Sequence, residues 1–318
     1  MLTYDFEKPL VVVEEKIKKL RETMTKDNNP EIVQELADSE AEFKKTKKAL
    51  YSNLTAWQKI QISRHPDRPK ALDYISHIFT DFIELHGDRH IRDDKSLVGG
   101  FAFLDNKTVM VIGQEKGKTI KEKQFRNFGM NSPEGYKKSA RLMRLAEKFG
   151  KPVICFIDTP GASPGLESER HGLAEAIAQN IRQMLSLKVP VISVIIGEGS
   201  SAGALALAVS DSILMMEFTW FSVITPESCS WILWHDWEHN EKAAEAMRLT
   251  AKDLCKLGMI DEFIKEPIGG AHHNPEACYK AVKEFIISYL VELEKLDPQE
   301  RIDHRLERFI KIGNFKEK

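Results

Sequence analysis

The chain has 318 residues, a formal net charge of −2, 30% charged and 42% hydrophobic residues. That balance belongs to a globular protein large enough for a substantial core, and so small a charge gives no reason to expect a nucleic-acid partner. No apolar run reaches the ~20 residues of a membrane span, and MLTYDFEKPLVVVEEKIKKL lacks the basic, apolar and small-residue parts of a secretory leader. Cys155, Cys229, Cys255 and Cys278 form no C-x-x-C pair and fit neither a disulfide framework nor a zinc site, so a reducing, cytoplasmic setting is expected.

Three zones are expected, at 1–70, 71–270 and 271–318. In the first, apolar residues recur at helical spacing among many charges (Ile17, Leu20, Met24, then Ile32, Leu36, Phe43, Leu50) and predict a helical arm. The lysines at 44, 45, 47 and 48 fit a solvated helix face better than an anion site. RHPDRPK (64–70), with two prolines, reads as a boundary. Strands LVGGFAFL (97–104) and KTVMVIGQE (107–115) flank Asp105-Asn106, a hairpin turn. A helix is expected from Pro133 to Phe149 with Ser132 as its N-cap. The apolar strand PVICFID (152–158) follows, with Cys155 as a core residue. Then come a helix from Ser168 to Leu187 and a second buried strand, PVISVII (190–196). This β-α-β-α order predicts an α/β domain with parallel strands. Charged helix returns after Asn274-Pro275.

In such sheets, sites form where strand ends feed helix N-termini. Two loops qualify. Asp158-Thr-Pro-Gly-Ala-Ser-Pro-Gly165 is stiff and glycine-bearing, with Gly161, Ala162, Ser163, Pro164 and Gly165 as wall residues. The second runs through Gly197, Glu198, Gly199, Ser200, Ser201, Ala202, Gly203 and Ala204, whose small side chains let a ligand reach backbone N–H groups. Such donors stabilise an oxyanion by roughly 3–4 kcal/mol each. Either loop alone reads as a tight turn; the pair at one end of adjacent strands favours a site.

Other motifs fail. IGQEKGKT (112–119) has three residues rather than four between Gly113 and Gly117, so it is no P-loop. Gly197-x-Gly199 places its third glycine one position late, at Gly203, for a dinucleotide fingerprint. Ser163, Ser200, Ser201 and His171 lack a G-x-S-x-G elbow, and His171 reads as a polar helix residue.

Six segments taken together are similar to the alpha subunit of bacterial-type acetyl-CoA carboxylase carboxyltransferase. They are RHPDRPKALDYI (64–75), ELHGDRHIRDDKSLVGG (84–100), KEKQFRNFGMNSPEGYKKSARLM (121–143), FIDTPGASPG (156–165), VIIGEGSSAGALAL (194–207) and PIGGAHHNPEA (267–277). Their order and spacing match over nearly the whole chain. The resemblance implies a crotonase-like (ClpP/crotonase) spiral of β-β-α units with N- and C-terminal helical extensions. It implies carboxyl transfer from carboxybiotin, held on a biotin carboxyl carrier protein, to acetyl-CoA, giving malonyl-CoA for fatty acid biosynthesis. The implied assembly is alpha2beta2 with a carboxyltransferase beta subunit that bears the zinc; biotin carboxylase completes the enzyme, and no metal is expected here. In that chemistry, carboxybiotin releases CO2, a biotin ureido nitrogen takes the acetyl methyl proton, and the enolate attacks CO2. The protein then supplies oxyanion holes and positioning. Carried over, one hole falls on the backbone N–H groups of Ala202, Gly203 and Ala204 and faces the ureido oxygen, with the 158–165 loop lining the biotin pocket.

The chain departs from the family pattern at Ser200 and Ala202 (glycines in the family), at Ser163 (tyrosine) and at Arg170-His-Gly-Leu173 (Glu-Arg-Gly-Gln), and it adds Trp231, Trp234 and Trp237. Two other readings stand beside the transferase. One is a stand-alone crotonase-type hydratase or isomerase, for which Glu198 is the local acid; the other is a silent scaffold that binds a partner. Gly203→Val is expected to abolish carboxyl transfer while leaving folding and partner binding largely intact.

Overall fold

The computed structural model describes residues 4–25 and 29–313. Helices Lys8–Met24 and Pro30–Ser52 pack on each other as an arm. Leu10, Tyr51 and Leu54 join Ile62 and Phe218 in a small core that fastens the arm to the body, and the Tyr4 hydroxyl donates to the Gln61 carbonyl at 2.8 Å. Helices Ala56–Ser63 and Ala71–Ile78 lead into the sheet.

The eight strands are β1 (Thr80–Glu84), β2 (Leu97–Leu104), β3 (Lys107–Gln114), β4 (Val153–Thr159), β5 (Val191–Ser200), β6 (Ser212–Met216), β7 (Trp220–Ser222) and β8 (Glu262–Ile264). They form one mixed sheet in the order β1-β2-β3-β4-β5-β6-β8, with β7 pairing the end of β5. β2 and β3 are the expected antiparallel hairpin, with Leu104 opposite Lys107 and Asp105 left-handed at φ 51°. From β3 to β8 the neighbours run parallel.

Because successive side chains alternate faces, β4 serves two cores. Ile154 and Phe156 pack with Ile192, Val194 and the helices Ala71–Ile78 and Pro275–Leu293. Val153, Cys155 and Ile157 pack with Leu142, Met143 and Met184 from helices Pro133–Lys148 and Leu173–Ser186. A strand covered on both sides reads as a continuous apolar run, which is why it was visible in the sequence. Burial pushes the Cys155 thiol up to about 12, as fits a core cysteine.

Two local expectations are corrected. The helix over 168–187 is broken: Leu166–Arg170 ends at His171, and Gly172, at φ 77°, turns the chain into Leu173–Ser186. Glycine adopts that φ at little cost. Ser132 precedes its helix but makes no side-chain cap; its amide and hydroxyl donate to Asp94 Oδ2 at 2.7 and 3.0 Å. Two buried ion pairs tie distant segments together. Arg68 meets Glu266 at 2.6 and 2.9 Å, and Arg305 of helix Pro298–Ile310 meets Asp211 at 2.8 Å.

Candidate functional site

β4 and β5 are parallel neighbours, and Thr159 lies opposite Gly199 where both strands end. The two small-residue loops therefore emerge side by side at the carboxyl edge. β5 runs directly into the short helix Ser201–Leu205, and Ser201, at φ 59°, makes that turn. A serine in left-handed backbone stores strain of about 1 kcal/mol or more, of the kind found at functional sites. The first amides of a helix have no carbonyl within the helix to bond, and in this short helix those are the amides of Ser201, Ala202, Gly203 and Ala204. Ala202 is exposed, while Gly203, Ala204 and Ser200 are buried.

Gly203 is where the two loops touch. A Cβ built on it falls 2.5 Å from the Ala162 nitrogen, 2.7 Å from the Gly161 carbonyl carbon and 3.1 Å from the Tyr136 hydroxyl. Its carbonyl accepts from Gln114 Nε2 at 2.9 Å. Any side chain at Gly203 therefore meets backbone, so Gly203→Val must shift one of the two loops even where folding stays largely intact. The 161–165 loop is braced from the other side. The Ser163 amide donates to the Asn131 carbonyl at 2.9 Å, Asn127 Nδ2 donates to Ser163 Oγ at 3.2 Å, and Thr159 Oγ1 donates to the Gly129 carbonyl at 2.7 Å. The bracing turn carries three consecutive left-handed residues, Asn127, Phe128 and Gly129. Gly161 and Gly165, at φ 146° and 122°, supply the loop's own bends.

Beneath the loops lies a charge cluster that sequence reasoning missed. Lys116 Nζ meets Asp158 Oδ1 at 2.7 Å and Glu198 Oε2 at 2.5 Å. Glu198 Oε1 takes Arg64 Nε at 2.7 Å, and Arg64 also pairs with Glu227. The Glu198 amide donates to Asp158 Oδ1 at 2.9 Å. Burial pushes the Glu198 carboxyl up, but the Lys116 and Arg64 cations outweigh it and hold the group at about 2. Burial likewise pulls Lys116 down, and Asp158 and Glu198 more than compensate. Arg64, Pro66, Lys70, Lys116, Lys123, Phe128, Pro160 and Glu198 line a cleft of about 300 Å³ beside the loops. Segment 64–70, read as a boundary from its prolines, thus supplies Arg64, Pro66 and Lys70 to the wall of this cleft. The segment IGQEKGKT (112–119) delivers Gln114 and Lys116 from the end of β3.

Among the described residues, His171 and the loop serines do not pair with one another. His171 Nδ1 meets Glu134 Oε1 at 2.5 Å, and the Ser163 hydroxyl takes its contacts from Asn127 and Ser168. Glu198 is equally unsuited to proton transfer, because both its oxygens are bound to cations and it stays ionised through the physiological range.

A family profile described as acetyl co-enzyme A carboxylase carboxyltransferase-like matches residues 3–313. The acetyl-coenzyme A carboxylase carboxyl transferase subunit alpha of Flavobacterium johnsoniae is 48% identical over 314 residues, covering 98% of this chain and 99% of that protein. Its counterpart in Chlorobium luteolum is 50% identical over 322 residues, covering 97% and 96%. The chain belongs to the family of acetyl-CoA carboxylase carboxyltransferase alpha subunits. Among solved structures, transcarboxylase 12S superposes on this alpha-subunit chain with a TM-score of 0.56 at 15% identity, over 83% of this chain and 46% of that one. The beta subunit of Pseudomonas aeruginosa geranyl-CoA carboxylase gives 0.55 at 17% identity, over 82% and 47%. The alpha-subunit chain spans a little under half of those longer chains, and the likeness shows a shared crotonase-like fold.

Proposed function

We propose that this alpha subunit, together with a carboxyltransferase beta subunit, transfers a carboxyl group from carrier-bound carboxybiotin to acetyl-CoA to give malonyl-CoA. Family membership over 98% of the chain is the observation that carries the reading. The site's chemistry supports it. Carboxyl transfer of this kind asks the protein for oriented donors and stiff positioning rather than a titrating side chain. The amides of Ala202, Gly203 and Ala204 serve as the oxyanion hole for the ureido oxygen of biotin. Gly161, Ala162, Ser163, Pro164, Gly165, Gly197, Gly199, Ser200 and Ser201 form the surrounding walls.

The remaining assignments rest on the family. The beta subunit brings the zinc and the rest of the active site in an alpha2beta2 assembly, biotin carboxylase charges the carrier, and the enzyme works in the cytoplasm. Among the described residues no helix is long and apolar enough to cross a membrane. The hydratase alternative needs a free acid or base, and Glu198 is held ionised by two cations.

The test is decarboxylation of malonyl-CoA with free biotin as acceptor, using the purified chain, its cognate beta subunit, and the mixture. Activity confined to the mixture is expected. A mixture that forms a complex yet stays inert would overturn the proposal, as would turnover of crotonyl-CoA by the isolated chain.

A further inference from the structure

Lys70 is only 5% exposed, yet it lines the cleft beside the two loops. The other buried cations there are already neutralised: Lys116 by Asp158 and Glu198, Arg64 by Glu198 and Glu227. The Lys70 ammonium has no carboxylate within ion-pair distance and no hydrogen bond among the described residues. Holding a charge largely out of water without a partner is costly, and a cation so placed at a cleft wall is poised to take its partner from a ligand. The rest of the cleft fits such a ligand. Pro66, Phe128 and Pro160 offer flat apolar walls, and Lys123 stands with them as a further cation.

We propose that the Lys70 ammonium binds the carboxylate being transferred, as a charge-assisted hydrogen-bond donor at the floor of the cleft. The assignment rests on the carboxyltransferase reading above and names a recognition group within that site. The Ala202–Ala204 amides hold a neutral carbonyl-type oxygen as charge develops on it. Lys70 instead distinguishes substrates that carry the extra carboxylate from those that have lost it. The carboxylate reaches the site on two molecules, carboxylated biotin and malonyl-CoA, and both present the same group. Burial, opposed by Asp158 and reinforced by the neighbouring Lys116, pulls the Lys70 ammonium down to about 8. The free enzyme therefore carries the recognising charge at neutral pH and loses it in mild alkali.

The experiment uses the alpha–beta complex with Lys70→Met and Lys70→Arg. Methionine matches the volume and removes a charge whose burial Asp158 offsets only in part, so this variant is expected to fold at least as stably as the parent; Lys70→Gln provides a second neutral side chain. In the decarboxylation direction, the KM for malonyl-CoA is compared with the inhibition constant of acetyl-CoA. In the forward direction, the KM for carboxylated carrier is compared with the inhibition constant of uncarboxylated carrier. The neutral variants are expected to weaken at least one carboxylated substrate tenfold or more and to change its uncarboxylated counterpart less than twofold. Arginine should restore binding to within about threefold. The substrate that suffers identifies which molecule Lys70 reads. The parent's kcat/KM for that substrate should decline above pH 8, and the neutral variants should lose that decline. Equal weakening of carboxylated and uncarboxylated forms, or no weakening of either, overturns the Lys70 assignment while leaving the carboxyltransferase intact. A parent complex without activity overturns the underlying reading and the assignment with it.

Discussion

Gly203→Ala tests whether the two loops work as one unit. The added methyl would sit 2.5 Å from the Ala162 nitrogen and 2.7 Å from the Gly161 carbonyl carbon, where ordinary contact begins at 3.4 Å. Either the 161–162 peptide or the first turn of helix Ser201–Leu205 must therefore give by about 0.9 Å. Overpacking of this size costs about 1–3 kcal/mol. Alanine returns about 1 kcal/mol over glycine within a helix. The net loss is thus about 0–2 kcal/mol, and the protein folds. Function is more exposed than stability, because displacing positioned donors by about 1 Å costs on the order of 100-fold in rate. The expected result is a kcat for malonyl-CoA decarboxylation by the complex reduced about 100-fold, with a urea midpoint close to the parent's. Gly203→Val adds two further carbons in the same place and should lower the urea midpoint more clearly. A Gly203→Ala complex with kcat within twofold of the parent would refute the argument that donor placement at this contact controls turnover.

Two further changes probe the electrostatics. Lys116→Met strips the shared cation from Asp158 and Glu198, which are 1% and 8% exposed at their side chains. Uncovering a buried charge pair should cost about 3–5 kcal/mol in urea unfolding; a loss below about 1 kcal/mol would show that Arg64 alone suffices for Glu198. His272 stacks on His65 with ring centres 3.8 Å apart. Burial, then the neighbouring His65, His273, Arg68 and Lys47, pulls it down to about 3. A folded value below the unfolded 6.5 means that this group's stabilisation is complete above pH 6.5 and is lost as pH falls toward 3. His272→Phe should therefore flatten the fall of stability over that window, and an unchanged slope would assign the acid sensitivity elsewhere.

Much of the scaffold was legible in the sequence because local patterns encode it. The hairpin of β2 and β3 follows from alternation around Asp105-Asn106. The apolar runs that became β4 and β5 could be read as doubly covered parallel strands, and the small residues after each marked the loops that the sheet brings side by side. The family resemblance rested on the same segments. The break at Gly172 was missed because a glycine inside an amphipathic pattern is also tolerated by a continuous helix.

The charge cluster was not legible. Glu198 meets Arg64 across 134 residues and Lys116 across 82. No periodicity links such positions, and each alone resembles an ordinary surface charge. RHPDRPK looked like punctuation, and Lys116 surfaced only within a rejected phosphate motif. The sequence by itself determined four of the eight strands, β2 to β5, together with the two small-residue loops and the family, because these depend on short-range spacing. Only the tertiary structure decided that Glu198 is a locked anion, that Gly203 is a point of backbone contact, and that Lys70 is an unpaired cation in a cleft. Each of those properties depends on what burial places beside a residue, and the parallel crossovers bring those neighbours from far along the chain.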